Sequence, residues 1–152
     1  MNMNIRTLTN DEKLPWDLLL LSDPSRLIVQ EYVKNAVIYV GELEQKIIAI
    51  CVVKETTKTI VEIMNIAVSE SMQGKGFGKQ LIRFAVQEAS KRGYAQIEIG
   101  TGNSSIPQLR LYQQCGFRIV GVDFDYFTRH YDEEISENGL ICRDMIRLSY
   151  EL

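Results

Sequence analysis

A single histidine, His130, is present in 152 residues, and that scarcity makes a histidine-ligated metal site or a Ser/His nucleophile hard to assemble. Cysteine is almost as scarce. Cys51, Cys115 and Cys142 are odd in number, fit no zinc-ligand spacing, and two of them sit inside apolar segments. They read as reduced, mostly buried thiols, and no metal is expected. Long apolar runs are missing too: the longest, such as "IIAICVV", stop far short of the roughly 20 residues a membrane span needs. The N-terminus "MNMNIRTLTNDEK" has no basic segment leading into an apolar one, so no secretory signal is read and the cytoplasm is the expected location. Positive charge is not in excess. The net charge of -3 argues against a nucleic-acid partner, which demands a basic face, and suits a cationic partner better.

No linker, repeat or low-complexity tract interrupts the chain. Its 45% apolar and 24% charged residues are those of an ordinary globular protein, so residues 1–152 read as one domain around one core. "LPWDLLLLSDPSRLIVQEYVKNA" has helical character and is broken by Asp23 and Pro24 into two short helices. "VIYVGELEQKIIAICVVKE" alternates on both sides of "GELEQK" and reads as a hairpin. Thr59 to Val68 is a strand apolar on both faces except at Glu62 and Asn65, as befits the middle of a sheet. Phe77, Leu81, Ala85 and Ala89 then fall at helical spacing, and Gly93 supplies the stop. "AQIEIG" is a strand; Ser105 offers an N-cap and Pro107 a first-turn residue to a helix running to Gly116. "FRIVGV" and "LICRDMIRL" are the last strands, separated by the polar, aromatic stretch Asp123 to Gly139. This order predicts a mixed α/β sheet with helices packed after its central strands.

The junction between the central strand and the long helix is "SESMQGKGFGKQLI", with Gly74, Gly76 and Gly78 at every second position. Glycines at a helix N-terminus let several backbone amides approach an anion, and the helix dipole adds to the attraction. Lys75 and Lys79 bring positive charge to the same place, so a phosphate is the natural ligand. Two familiar phosphate loops fail on spacing. A dinucleotide fingerprint would need glycine where Lys79 stands, and a P-loop would need glycine at Gln73 and Ser or Thr at Gln80. Without a ligand, the same pattern is a glycine-rich helix entry.

Gln73, Gly76 and Gly78 do fit Q-x-x-G-x-G, and "LYQQCGF" fits L-Y-x-x-x-G-F roughly thirty residues later, after the strand "EIMNIAV". In these motifs, their order and their placement, the chain resembles the GNAT superfamily of acetyl-CoA-dependent N-acetyltransferases over nearly its whole length. The resemblance implies a mixed, mostly antiparallel sheet of about six or seven strands with helices on both faces. It implies that the backbone of Gln73, Gly74, Lys75, Gly76, Phe77, Gly78 and Lys79 holds the pyrophosphate of acetyl-CoA. The pantetheine arm would lie along Ile66, Ala67 and Val68, where two central strands splay apart. The family often has Asn seven residues before the motif tyrosine, touching the cofactor; this chain has Ser105 there and Asn103 two residues earlier, so either is a candidate.

The reaction implied needs a base and an acid. Holding an alkyl amine of pKa about 10.4 deprotonated at pH 7 costs roughly 4.6 kcal/mol. An ungapped count back from the loop matches Glu62 to the glutamate that serves as base in the histone acetyltransferase branch; the alternative is a strand-end carboxylate in solvent or in an ion pair. Tyr112 is the tyrosine of the second motif, which in the family protonates the departing thiolate; the alternative is a core aromatic. Asp123 to Gly139 combines six carboxylates with four aromatics in a long connection. In the family this connection borders the acceptor cleft, so Tyr131, Glu133 and Glu134 are candidates to bind a cationic amine. The leading expectation is acetylation of a small-molecule primary amine by direct attack in a ternary complex. Acetylation of a protein or peptide amine and a non-catalytic acyl-CoA sensor are the alternatives. The sequence leaves monomer and homodimer open.

Overall fold

Local chemistry fixes most element boundaries in the computed structural model, which describes residues 2–152. β1 (Asn4–Thr7) precedes α1 (Trp16–Ser22) and α2 (Arg26–Tyr32). Asp23 breaks this helical pair in extended conformation before Pro24, whose ring disfavours a helical neighbour, and the Ser25 hydroxyl caps α2 by accepting from the Ile28 amide. β2 (Val37–Leu43) and β3 (Lys46–Thr57) form the expected hairpin across Glu44 and Gln45, both at positive φ as a two-residue turn of that hand requires. β4 (Ile60–Val68) leads through a 3₁₀ turn (Glu70–Met72) to α3 (Phe77–Lys91), then β5 (Gln96–Gly102), α4 (Ile106–Gln114) and β6 (Arg118–Asp123). The chain ends with α5 (Tyr126–His130), the small hairpin β7 (Ile135–Glu137) and β8 (Leu140–Cys142), and β9 (Met145–Glu151).

The main sheet has seven strands in the order β1-β2-β3-β4-β5-β9-β6, and β4–β5 is its one parallel pair among the described residues. It is the mixed, mostly antiparallel α/β sheet expected. Helices cover both faces. α3 and α4 close one core with Phe77, Leu81, Ile82, Ala85 and Tyr112, and α1 and α2 close the other with Leu18, Leu19 and Val29. Burying one such aliphatic side chain is worth roughly 1.5–3 kcal/mol, so both helical layers are held mainly by these contacts.

Two departures from regular pairing shape the centre. β4 and β5 pair only from Ile60↔Gln96 to Ile63↔Ile99, after which they diverge, while β4 stays paired to β3 through Val68↔Ala49. At the point of divergence β4 carries an extra residue, Met64, because Ile63 pairs with Val53 and Asn65 with Val52. This bulge reverses the alternation. Val61 and Ile63 pack toward α3, but beyond the bulge it is Ile66 and Val68 that do so, while Asn65 and Ala67 turn toward α1 and α2.

Three sequence expectations change. β1 is an additional strand, too short and polar to show in the alternation. "LICRDMIRL" is two strands, β8 and β9, broken at Arg143 and Asp144. The stretch Asp123 to Gly139 is not an open loop, since it contains α5 and β7.

Candidate functional site

The divergence of β4 from β5 opens a cleft, and the chain fills its two ends with different chemistry. At one end, a cavity of about 400 Å³ is lined by Ile66, Ala67 and Val68 of β4, by the glycine loop, and by Leu111 and Tyr112 of α4. The Gln73 side-chain amide donates to the Val68 carbonyl at 2.9 Å, tying the loop to the end of the strand. Gly74 and Gly76 have φ of 77° and 86°, a left-handed conformation that glycine adopts without strain. Nothing lies within 4 Å of where a Cβ would stand at either, so the backbone there borders open space. Gly76 is the N-cap residue of α3. Among the described residues, no backbone carbonyl accepts from the amides of Gly74 to Lys79. These donors, with the helix dipole behind them, form an anion cradle.

At the other end, a second cavity of about 400 Å³ is lined by Asp23, Tyr32, Glu62, Asn65, Ser105, Tyr126, Tyr131 and Glu137, among others. Leu21, Ser22, Ile66, Gln108 and Tyr112 line both cavities and mark where they meet. Tyr112 is buried in this partition, and its hydroxyl enters no hydrogen bond among the described residues. Burial pushes its phenol well above the ordinary value, with nearby Cys51 adding to the shift, so it is a neutral proton donor at pH 7. Burial also raises the Glu62 carboxyl; Arg147 opposes that shift and Glu98 reinforces it. A raised carboxylate is a stronger base than a free one.

Tyr131 caps α5, and its hydroxyl donates to Asp23 at the end of α1 at 2.9 Å, joining two walls of the second cavity. Burial raises the phenol of Tyr131, and Asp23 raises it further. Glu133 and Glu134 stand exposed and line neither cavity. The carboxylate that this segment contributes to the lining is Glu137, which accepts from the Ser104 hydroxyl at 2.9 Å and from Ser105 at 2.6 Å. Ser105 therefore occupies the N-cap position of α4 without capping it through its side chain. Asn103 lines neither cavity: its amide donates to the Ile141 carbonyl and its oxygen accepts from the amides of Arg143 and Asp144, bracing the link from β8 to β9. Lys75 is exposed beside the loop and outside the lining.

Glu137, Gln108 and the contact between Asp23 and Tyr131 are not singled out by the sequence, whereas the helices from Trp16 to Tyr32 are its alternative place for recognising the amine. A signal for Glu137 was present in Asn138-Gly139, both at positive φ in the structure, the strongest short hairpin dipeptide. No local signal brings Asp23 to Tyr131 across 108 positions of chain.

The family model for the acetyltransferase (GNAT) family matches residues 5–117, a span that holds β4, the glycine loop, α3 and α4. The chain belongs to the GNAT family. It is 55% identical over 144 residues to the uncharacterized N-acetyltransferase YvbK of Bacillus subtilis, covering 95% of this chain and 92% of that one. It is also similar to a GNAT family acetyltransferase of Elizabethkingia anophelis with acetyl-CoA bound, at 40% identity and a TM-score of 0.98 over 99% of both chains. A Bacillus subtilis acetyltransferase in complex with CoA is 50% identical, with a TM-score of 0.94 over 99% of both chains. Among the described residues, this GNAT chain has no group of His, Cys, Asp and Glu able to hold a metal ion, and no helix long and apolar enough to cross a membrane.

Proposed function

We propose that this GNAT acetyltransferase moves an acetyl group from acetyl-CoA to a primary amine of a small molecule, by direct attack within a ternary complex. The observation that supports it most is the partition at Tyr112: an anion cradle with a narrow apolar cleft on one side, and a carboxylate-lined cavity on the other. Acetyl-CoA takes the first cavity; the Elizabethkingia relative has acetyl-CoA bound. Its pyrophosphate sits on the amides from Gly74 to Lys79, the Gln73 amide being donated to the Glu70 carbonyl, with the Lys79 charge nearby, and its pantetheine runs along Ile66 to Val68 on the edge that β5 leaves unpaired. The amine enters the second cavity. Its nitrogen attacks the thioester carbonyl carbon, the oxyanion is met by a β4 amide near Ile66 to Val68, and the C–S bond breaks. Glu62 takes, directly or through water, the proton that the ammonium sheds before attack; the coenzyme A sulfur takes the Tyr112 proton, and the proton that the nitrogen loses after attack restores the phenol. A small acceptor is favoured over a protein because the Tyr131–Asp23 hydrogen bond and the β7–β8 hairpin wall the second cavity. The free thiols of Cys51, Cys115 and Cys142 suit a cytoplasmic setting.

The test is a panel of amines incubated with acetyl-CoA and read by released thiol. Release with primary alkyl amines, and none with alcohols or water alone, is the expected result. Release with no acceptor beyond background would leave a binding protein rather than an enzyme. Glu62→Gln should cost most at neutral pH, and the loss should shrink as pH approaches the amine pKa of about 10.4, where solvent supplies free amine. In the parent enzyme the acidic limb of kcat/KM should lie above the ordinary glutamate range, because burial raises that carboxyl and it must ionise to act. A loss that is the same at every pH would make Glu62 a positioning group.

A further inference from the structure

We propose that the acceptor carries at least two ammonium groups, and that the second cavity holds the one that does not react. This rests on the acetyl-transfer reading and narrows its substrate class to linear diamines and polyamines. Three carboxylates line that cavity, Asp23, Glu62 and Glu137, and its lining contains no lysine, arginine or histidine. None of the three is in a salt bridge among the described residues. Asp23 is buried at 7% exposure and held by neutral donors alone: the Tyr131 hydroxyl and the Ser25 amide on one oxygen, and the Tyr32 hydroxyl on the other. Glu137 receives both serine hydroxyls on Oε1, and Oε2 has no donor among the described residues.

Asn65 is an independent pointer. It is 2% exposed and lines the same cavity. Its side-chain nitrogen donates to the Leu19 carbonyl at 3.0 Å and to the Tyr32 oxygen at 2.8 Å, which fixes the amide orientation. Its side-chain oxygen has no donor among the described residues. A buried polar atom without a partner is rare enough in folded proteins to require a reason. At Asp23, Glu62, Glu137 and Asn65 the unused valences are all acceptors. An ammonium, with three donors and no acceptor, is their complement.

The chemistry of the reaction turns this charge balance into a statement about the acceptor. A monoamine must lose its charge before it attacks, so at that moment it leaves the carboxylates with no cation opposing them in the cavity. A second ammonium stays charged from binding through the transition state. Because it contributes equally to both, its effect belongs in KM and in kcat/KM.

The experiment compares putrescine, n-butylamine and γ-aminobutyrate as acceptors for the full chain with acetyl-CoA, by released thiol. Putrescine should exceed n-butylamine at least tenfold in kcat/KM, mostly through KM, and γ-aminobutyrate, with a carboxylate at the far end, should be the poorest. Asp23→Asn and Glu137→Gln should each cut the putrescine-to-butylamine ratio several-fold. Glu137 lies on an exposed hairpin, so its variant keeps the test open if Asp23→Asn does not fold. Equal kcat/KM for putrescine and n-butylamine overturns the two-cation proposal while acetyl transfer stands. A preference that survives in both variants overturns the assigned site. If acetyl-CoA still stabilises the protein but no amine releases thiol, the acetyl-transfer reading fails and this proposal falls with it.

Discussion

Replacing Tyr112 by Phe is expected to lower kcat by about 10²-fold or more while acetyl-CoA affinity stays within about twofold. The substitution removes one oxygen and nothing else that packs. Tyr112 is 4% exposed, its ring belongs to the core closed by α3 and α4, and its hydroxyl has no partner among the described residues to leave orphaned. The melting temperature should therefore change little. What is lost is a proton for the departing sulfur: a thiol of pKa about 8.5 leaves as an anion unless a donor meets it, and a phenol kept neutral by burial is such a donor. Steady-state kinetics with acetyl-CoA varied at saturating amine separates the two parameters. An unchanged kcat would reduce Tyr112 to a packing residue and shift the acid role to water.

Gly76→Asp should abolish the stabilisation that acetyl-CoA gives the wild type. At a ligand concentration of about 100 times Kd, binding stabilises a protein by roughly 2.7 kcal/mol, which for a chain of this size raises Tm by about 5–10 °C. A 100-fold loss of affinity would leave roughly 0.4 kcal/mol, a shift of about 1 °C. Aspartate is a fair test because it tolerates left-handed backbone better than most residues, so the φ of 86° need not unfold the loop. Its carboxylate would project into the open space beside Gly76 and repel the pyrophosphate. Gly76→Asn has the same shape without the charge and should retain part of the shift. ATP, which the spacing of these glycines does not fit, should give none with the parent protein. Equal stabilisation by ATP and acetyl-CoA would mean that the loop reads phosphate without regard to the rest of the cofactor.

The parts of this molecule that the sequence makes plain are those governed by neighbours in the chain. The continuous apolar pattern of β4, the glycines that permit Gly74 and Gly76 to turn left-handed, and the helical spacing from Phe77 to Ala89 are local properties, and each element appears where the pattern puts it. The cavity beside the glycine loop is lined almost wholly by this one continuous stretch and by α4, so its lining is mostly a local property of the chain. The other cavity is assembled from α1, α2, β4, α5 and the β7–β8 hairpin. Its contacts join residues far apart, such as Asn65 with Tyr32 and Ser105 with Glu137, and no periodicity encodes them. α5 is five residues long, about one turn, and is held by Asp125, whose carbonyl receives the Arg129 amide and whose own amide donates to Asp144. A single turn supported from the distant link between β8 and β9 leaves no amphipathic trace, and nothing local distinguishes Glu137, which lines the cavity, from Glu133 and Glu134, which do not.

The extra residue at Met64 makes distance along β4 an unreliable ruler. In a regular strand the parity of a residue's number decides which face it serves, and here that parity changes between Ile63 and Ile66. Counting back from the glycine loop to Glu62 thus reaches a residue on the same face only among strands that carry the same insertion. In one that lacks it, the residue at the same count would face the opposite layer. Deleting Met64 from this chain would only restore regular alternation, but drawing Met64 into the ladder with every residue retained would turn over the half of the strand before it, sending Glu62 into the apolar packing beneath α3 and presenting Val61 and Ile63 to the second cavity. A slip of one residue in register, with no side chain removed, would exchange the floor of that cavity for core.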